Sequence, residues 1–153
     1  MSLADIEVKL SIKFPVSYKK FLSEIDDFAY VLHNEHPDDF LDDEGVAWFF
    51  WGEQRLFEEV QIEGAPKRAA WEQLVSYAEI DRSFRKKKGV PSNVGLLGFE
   101  RFNKSIAIAE DNGDILYIDA AEGDSVWIYM HSSGEVKRIA SSFDEWLSRS
   151  KVD

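Results

Sequence analysis

Asn112-Gly113 is the feature that most narrows the fold. Both residue types accept the positive φ that a two-residue hairpin turn demands. So short a connection joins only antiparallel strands, because parallel neighbours need a crossover of a dozen or more residues. Residues 105–109 and 115–119 flank the turn, and Ile115, Tyr117 and Asp119 fall on one face of the second strand. Residues 126–131 supply a third strand. Ser132-Ser133-Gly134 supplies another turn, and 136–140 closes a meander. A strand over 94–99 precedes it, after a break at Gly89 and Pro91.

Helices bracket this meander. Ser2 and Asp5 form a weak capping box for a first helix carrying Ile6 and Leu10. Pro15 opens a second helix over 15–26, where its missing N–H costs nothing. Tyr18, Phe21, Leu22 and Ile25 then follow at helical spacing. Ala70, Leu74, Tyr77 and Ala78 mark a helix over 67–80, and Ser142 with Glu145 caps a last one over 142–149. Between them, 28–45 loses periodicity and reads as a long surface loop. Val46–Trp51 is a strand by its aromatic density, and 55–62 fits either a second strand or a short helix. The expectation is a single α+β domain over 1–153: an antiparallel meander with helices on one side and at the ends. Phe21, Leu22, Ile106, Ile108, Trp127, Phe143 and Leu147 are the expected core.

Charge is distributed unevenly. Residues 24–63 hold thirteen acidic side chains and one base, Arg55, whereas the whole chain carries −11. The acidity is a local block, densest at Asp38, Asp39, Asp42, Asp43 and Glu44. Crowded like charges cost stability through self-repulsion, so a block of this kind points to a basic partner, with a solvated loop as the plainer reading. The adjoining run Trp48-Phe49-Phe50-Trp51 puts Trp48 and Phe50 on one strand face and Phe49 and Trp51 on the other. Burial on both faces is the simpler expectation. One exposed face would instead set Trp48 and Trp51 beside the acids as partner contacts.

Several chemistries are disfavoured. The chain has no Cys, so thiolate metal sites, disulfides and a Cys nucleophile are absent. There is no Gly-x-Ser-x-Gly elbow, phosphate-binding loop or dinucleotide fingerprint. His33-x-x-His36 with Asp38 and Asp39 has the residue types of a metal site but no fixed second shell. Residues 110–114 lack the calcium-loop pattern and suit a hairpin better. Gly113, Asp114, Asp119 and His131 fit structural roles at turns and strand ends, and no catalytic residue, metal or cofactor is expected. The basic run Arg82, Arg85, Lys86, Lys87 and Lys88 follows a helix, where the dipole favours cations or the acidic block can pair with them. The overall acidity argues against nucleic acid and anionic membrane as partners. The absence of a basic, apolar leader and of Cys leads to an expectation of the cytoplasm.

Three passages together resemble the SUKH superfamily, the Smi/Knr-like domain of the fungal cell-wall-assembly regulator and of bacterial toxin-immunity proteins. Ile6…Leu10 through Phe14-Pro15, then Tyr18, Phe21 and Leu22, is similar to its opening helix, apolar-Pro step and second helix. Gly113-Asp114-Ile115-Leu116-Tyr117-Ile118-Asp119 is similar to its Gly-Asp strand ending in Asp. Val126-Trp127-Ile128-Tyr129-Met130-His131, Gly134-Glu135-Val136 and Ser142-Phe143-Asp144-Glu145-Trp146-Leu147 are similar to its His-ended strand and closing helix. The set covers nearly the whole chain. Two departures stand out: Phe99-Glu100-Arg101-Phe102-Asn103 replaces a glycine-rich stretch, and 26–63 matches no family pattern. The resemblance implies a non-enzymatic binding domain. In bacteria it implies an immunity protein that neutralises a toxin, often a nuclease; a regulatory scaffold without a toxin partner is the alternative.

Overall fold

The computed structural model describes residues 1–34 and 45–153. Its elements in chain order are α1 (Leu3–Leu10), α2 (Val16–Glu24), β1 (Phe28–His33), β2 (Val46–Trp51), α3 (Glu53–Leu56), β3 (Glu59–Val60) and β4 (Arg68–Ala69). After a 3-10 turn at Ala70–Glu72 come α4 (Gln73–Ser83), β5 (Val90–Ser92) and β6 (Gly95–Leu97). A second 3-10 segment, Phe99–Lys104, leads to β7 (Ser105–Asp111), β8 (Asp114–Asp119), β9 (Ser125–Met130), β10 (Glu135–Ala140), α5 (Phe143–Ser148) and β11 (Ser150–Val152). Among the described residues, nine strands form one sheet in the order β11-β1-β2-β7-β8-β9-β10-β5-β6, and β3 and β4 form a small ladder apart. The sheet is antiparallel except where β10 meets β5. The α+β class and the β7–β10 meander are as expected.

The local signals act as their chemistry dictates. Asn112 and Gly113 take φ of 49° and 94°, the two positive values a hairpin turn of this hand requires. The Asp5 carboxylate accepts from the Ser2 N–H at 2.7 Å at the start of α1. Ser142 Oγ accepts from the Glu145 N–H at 3.1 Å, capping α5.

Alternation along the strands gives the sheet two faces. Phe50 pairs with Ala109, Ala109 with Leu116, and Leu116 with Ile128, so these share the first face. Helices α2 and α5 pack there: Phe21 meets Phe50 at 4.7 Å, Tyr18 meets Phe143 at 5.3 Å, and Phe143 stacks on Trp146. The second face carries Phe49, Ile115, Tyr117, Trp127 and Tyr129. Helix α4 lies against this face over β7, and its Tyr77 reaches β9 to stack on Tyr129 at 4.7 Å. Each large apolar side chain taken fully out of water contributes about 1.5–3 kcal/mol, and the wholly buried set includes Trp48, Trp127, Trp146, Tyr18, Phe50 and Phe143.

Four expectations are corrected. Residues 28–33 form strand β1, not loop. Their pairing partners are β2 on one side and the C-terminal β11 on the other, with Val31 opposite Val152 and His33 opposite Ser150. The strand expected over 94–99 divides into the β5–β6 hairpin and a 3-10 segment, because Gly95 turns at φ 117°. The helix expected over 67–80 starts only at Gln73, since Arg68–Ala69 is drawn into the β3–β4 ladder. Leu147 is half-buried at the outer edge of α5, and Trp146 takes the place in the core.

Candidate functional site

The β1–β2 hairpin brackets the densest part of the acidic block. Asp38, Asp39, Asp42, Asp43 and Glu44, together with His36, lie outside the described residues. Their flanks do not: His33 is the register partner of Val46, so the two ends of the connection meet across paired strands.

On the first sheet face the hairpin is packed. Val31 and Phe50 are fully buried, and His33 lies flat on Trp146 with ring centroids 4.8 Å apart. His33 Nδ1 is 2.7 Å from Ser150 Oγ, which ties β1 to β11. Trp48 belongs to this face and is buried. Trp51 points the other way but is buried at the end of β2 beside α3. Neither indole is a surface contact in this structure; both are core.

The second face of the hairpin differs. Register places Tyr30 opposite Phe49, Phe28 opposite Trp51 and Leu32 opposite Ala47. Phe28 and Tyr30 are 43% and 50% exposed, and Phe49 is half-buried. Phe28 and Phe49 stack at 4.8 Å with planes 21° apart, and Tyr30 stands edge-on to both at 5.7 and 5.6 Å. Large aromatics are ordinarily inside, so three in mutual contact at the surface form a patch with an amphipathic phenol at its rim.

Among the described residues, one cation is seated on it. The Arg55 guanidinium lies 5.6 Å from the Phe28 centroid and 5.2 Å from that of Phe49. Its Nη2 donates to Asp27 Oδ2 at 2.6 Å. The Asp27 hydrogen bond, opposed by partial desolvation and assisted by the charges of Asp27, Glu58 and Glu110, raises the guanidinium pKa further above its ordinary value. Glu110 is the register partner of Phe49, which sets one more carboxylate on the same face. The patch is therefore aromatic in its middle and acidic around it.

Other groups weighed from the sequence have structural surroundings. Asp114 Oδ1 accepts the His131 N–H at 3.0 Å and lies 2.7 Å from His131 Nδ1, bracing the hairpin turn. Asp81, almost fully buried, holds Arg85 at 3.1 Å and Lys87 at 4.0 Å, so part of the basic run is engaged locally. Among the described residues, no group of three or more His, Cys, Asp or Glu side chains is placed to hold a metal ion. None of the described helices is long and apolar enough to cross a membrane.

Phe28 and Tyr30 escape a sequence reading that takes 28–45 as one loop. The signal is the short apolar run Phe28-Ala29-Tyr30-Val31-Leu32, of strand length and holding two aromatics and a β-branched residue. Phe49 was correctly assigned to the face opposite Trp48.

No curated protein and no solved structure matches the chain. The family model described as SMI1 / KNR4 family (SUKH-1) matches residues 2–149. With nearly the full length matched, and with the helices, Gly-Asp strand and closing helix in the expected order, the chain belongs to the SMI1 / KNR4 family (SUKH-1).

Proposed function

We propose that this is a non-enzymatic protein-binding domain, an immunity protein that occludes a basic bacterial toxin domain, of nuclease type, in the cytoplasm. The observation that carries the reading is the exposed Phe28–Tyr30–Phe49 cluster on the hairpin that brackets the acidic block. Aromatics ringed by acids suit a binding hot spot for a cationic surface. A nuclease presents Lys and Arg to its substrate phosphates, and carboxylates spaced along Asp38, Asp39, Asp42, Asp43 and Glu44 would occupy that cleft. Trp48 and Trp51 drop out as contacts, being core, and Phe28, Tyr30 and Phe49 replace them.

The test is capture of partners from the native host, followed by association kinetics with the recovered protein. A basic toxin encoded beside this gene, bound more slowly as salt rises, supports the reading. Recovery of cell-envelope regulatory proteins with no toxin among them would move the domain to the scaffold role. Catalytic turnover by the purified chain would overturn both.

A further inference from the structure

We infer that the outer face of the β1–β2 hairpin is a receptor for an arginine side chain of the partner, and that Arg55 occupies that receptor in the free protein. The inference deepens the reading of a basic partner and rests on it. Arg55 is the only base among residues 24–63, and it is seated on this face. Two phenyl rings and the Asp27 carboxylate converge on its guanidinium, with Glu110 next to Phe49 in the register. The same arrangement would receive a guanidinium from outside.

Arginine suits the site better than lysine. Its planar, weakly hydrated head lies on ring faces while its donors fork to a carboxylate, whereas an ammonium keeps its water more tightly. Arg55 does not exhaust the site. Its Nε meets no hydrogen-bond acceptor among the described residues, and its side chain stays 30% exposed. Tyr30, half in solvent, extends the aromatic surface past Phe49. An incoming arginine can therefore displace Arg55 from the rings or lie beside it against Tyr30, and Asp27 neutralises whichever cation is held.

The test uses oligo-arginine and oligo-lysine peptides of equal length and charge as probes, titrated into the intact protein by calorimetry. The wild type should bind oligo-arginine more tightly. Tyr30→Ser and Phe49→Ala should each reduce that preference, weakening oligo-arginine binding more than oligo-lysine binding. Arg55→Gln should raise oligo-arginine affinity about threefold, the order of one exposed cation–π contact. Equal affinities in the wild type, or an Arg55→Gln variant that weakens oligo-arginine binding, would overturn the inference and make Arg55 a brace. Tyr30→Ser carries the comparison if Phe49→Ala melts early, because Tyr30 is half exposed. A parallel variant reversing Asp39, Asp42 and Asp43 to Lys separates the two readings. If it loses both peptides while the wild type does not distinguish them, the acidic surface stands and the arginine receptor falls. If the wild type binds neither, both fall.

Discussion

Arg101 Nε donates to Asp119 Oδ2 at 2.6 Å, and its guanidinium lies 5.0 Å over the ring of Trp127. The Asp119 side chain is 3% exposed and that of Arg101 22%. The contact fastens the 3-10 segment Phe99–Lys104 to the end of β8. Burial still outweighs the pair and pushes the Asp119 carboxyl above the usual carboxylate range.

Arg101→Gln leaves that carboxylate buried with the Ala121 N–H as a remaining donor. The loss at neutral pH is expected to be about 3 kcal/mol. The sign of the pH effect follows from the raised pKa. A carboxyl whose folded pKa lies above its unfolded value gives its full contribution below the unfolded pKa, and loses it as pH rises through the folded one. The destabilisation should therefore shrink as pH falls from neutral toward the carboxylate range. Denaturant melts across that range check this; a loss independent of pH would assign the effect to the Trp127 stack.

Glu7 behaves oppositely. Its carboxylate accepts the Phe14 N–H at 2.8 Å and pairs with Lys19 at 2.8 Å, joining α1 to the start of α2. The Lys19 hydrogen bond, opposed by burial and aided by the Phe14 N–H, lowers its pKa. Stability from Glu7 is present above the ordinary glutamate pKa and lost as pH falls through the depressed folded value. Glu7→Ala should cost about 1–3 kcal/mol at neutral pH through the stranded Phe14 N–H, and less in acid melts.

The aromatic centre of the first face should be the most sensitive region to truncation. Phe50 touches Tyr18, Phe21, Phe143 and Trp146 and is fully buried, so Phe50→Ala should cost about 3–5 kcal/mol. Leu22→Ala should cost roughly 2–5 kcal/mol. Leu147→Ala, half-buried, should cost less than either. Equilibrium unfolding of the three variants ranks them.

At Gly113 the turn needs φ 94°, and a Cβ would come within 3.1 Å of the His131 ring. Gly113→Ala should therefore destabilise by about 1–2 kcal/mol from the backbone alone. The perturbation should appear in amide exchange of the β7–β8 hairpin before the rest of the sheet.

Reversing Asp39, Asp42 and Asp43 to Lys should leave the folding free energy within about 0.5 kcal/mol, while slowing association with a basic partner. Unfolding of the variant would make those carboxylates structural instead.

What the sequence by itself determined was short in range. The Asn112-Gly113 turn, the Ser142–Glu145 cap and the Tyr18–Phe21–Leu22 stripe each depend on residues within a turn or two of one another, so spacing alone revealed them. The acidic block was legible too, because net charge needs no fold. The tertiary structure decided what depends on partners far along the chain. Phe28–His33 becomes a strand because β2 and the C-terminal Ser150–Val152 satisfy its backbone, and His33 lies 117 residues from Ser150. Trp48 and Trp51 enter the core because α2, α3 and α5 close over their surroundings, while Phe28, Tyr30 and Phe49 stay at the surface because α4 packs over β7 and reaches toward β9 on that same face rather than over the β1–β2 hairpin. A strand's alternation says which side chains share a face; only packing by distant elements says which face meets water.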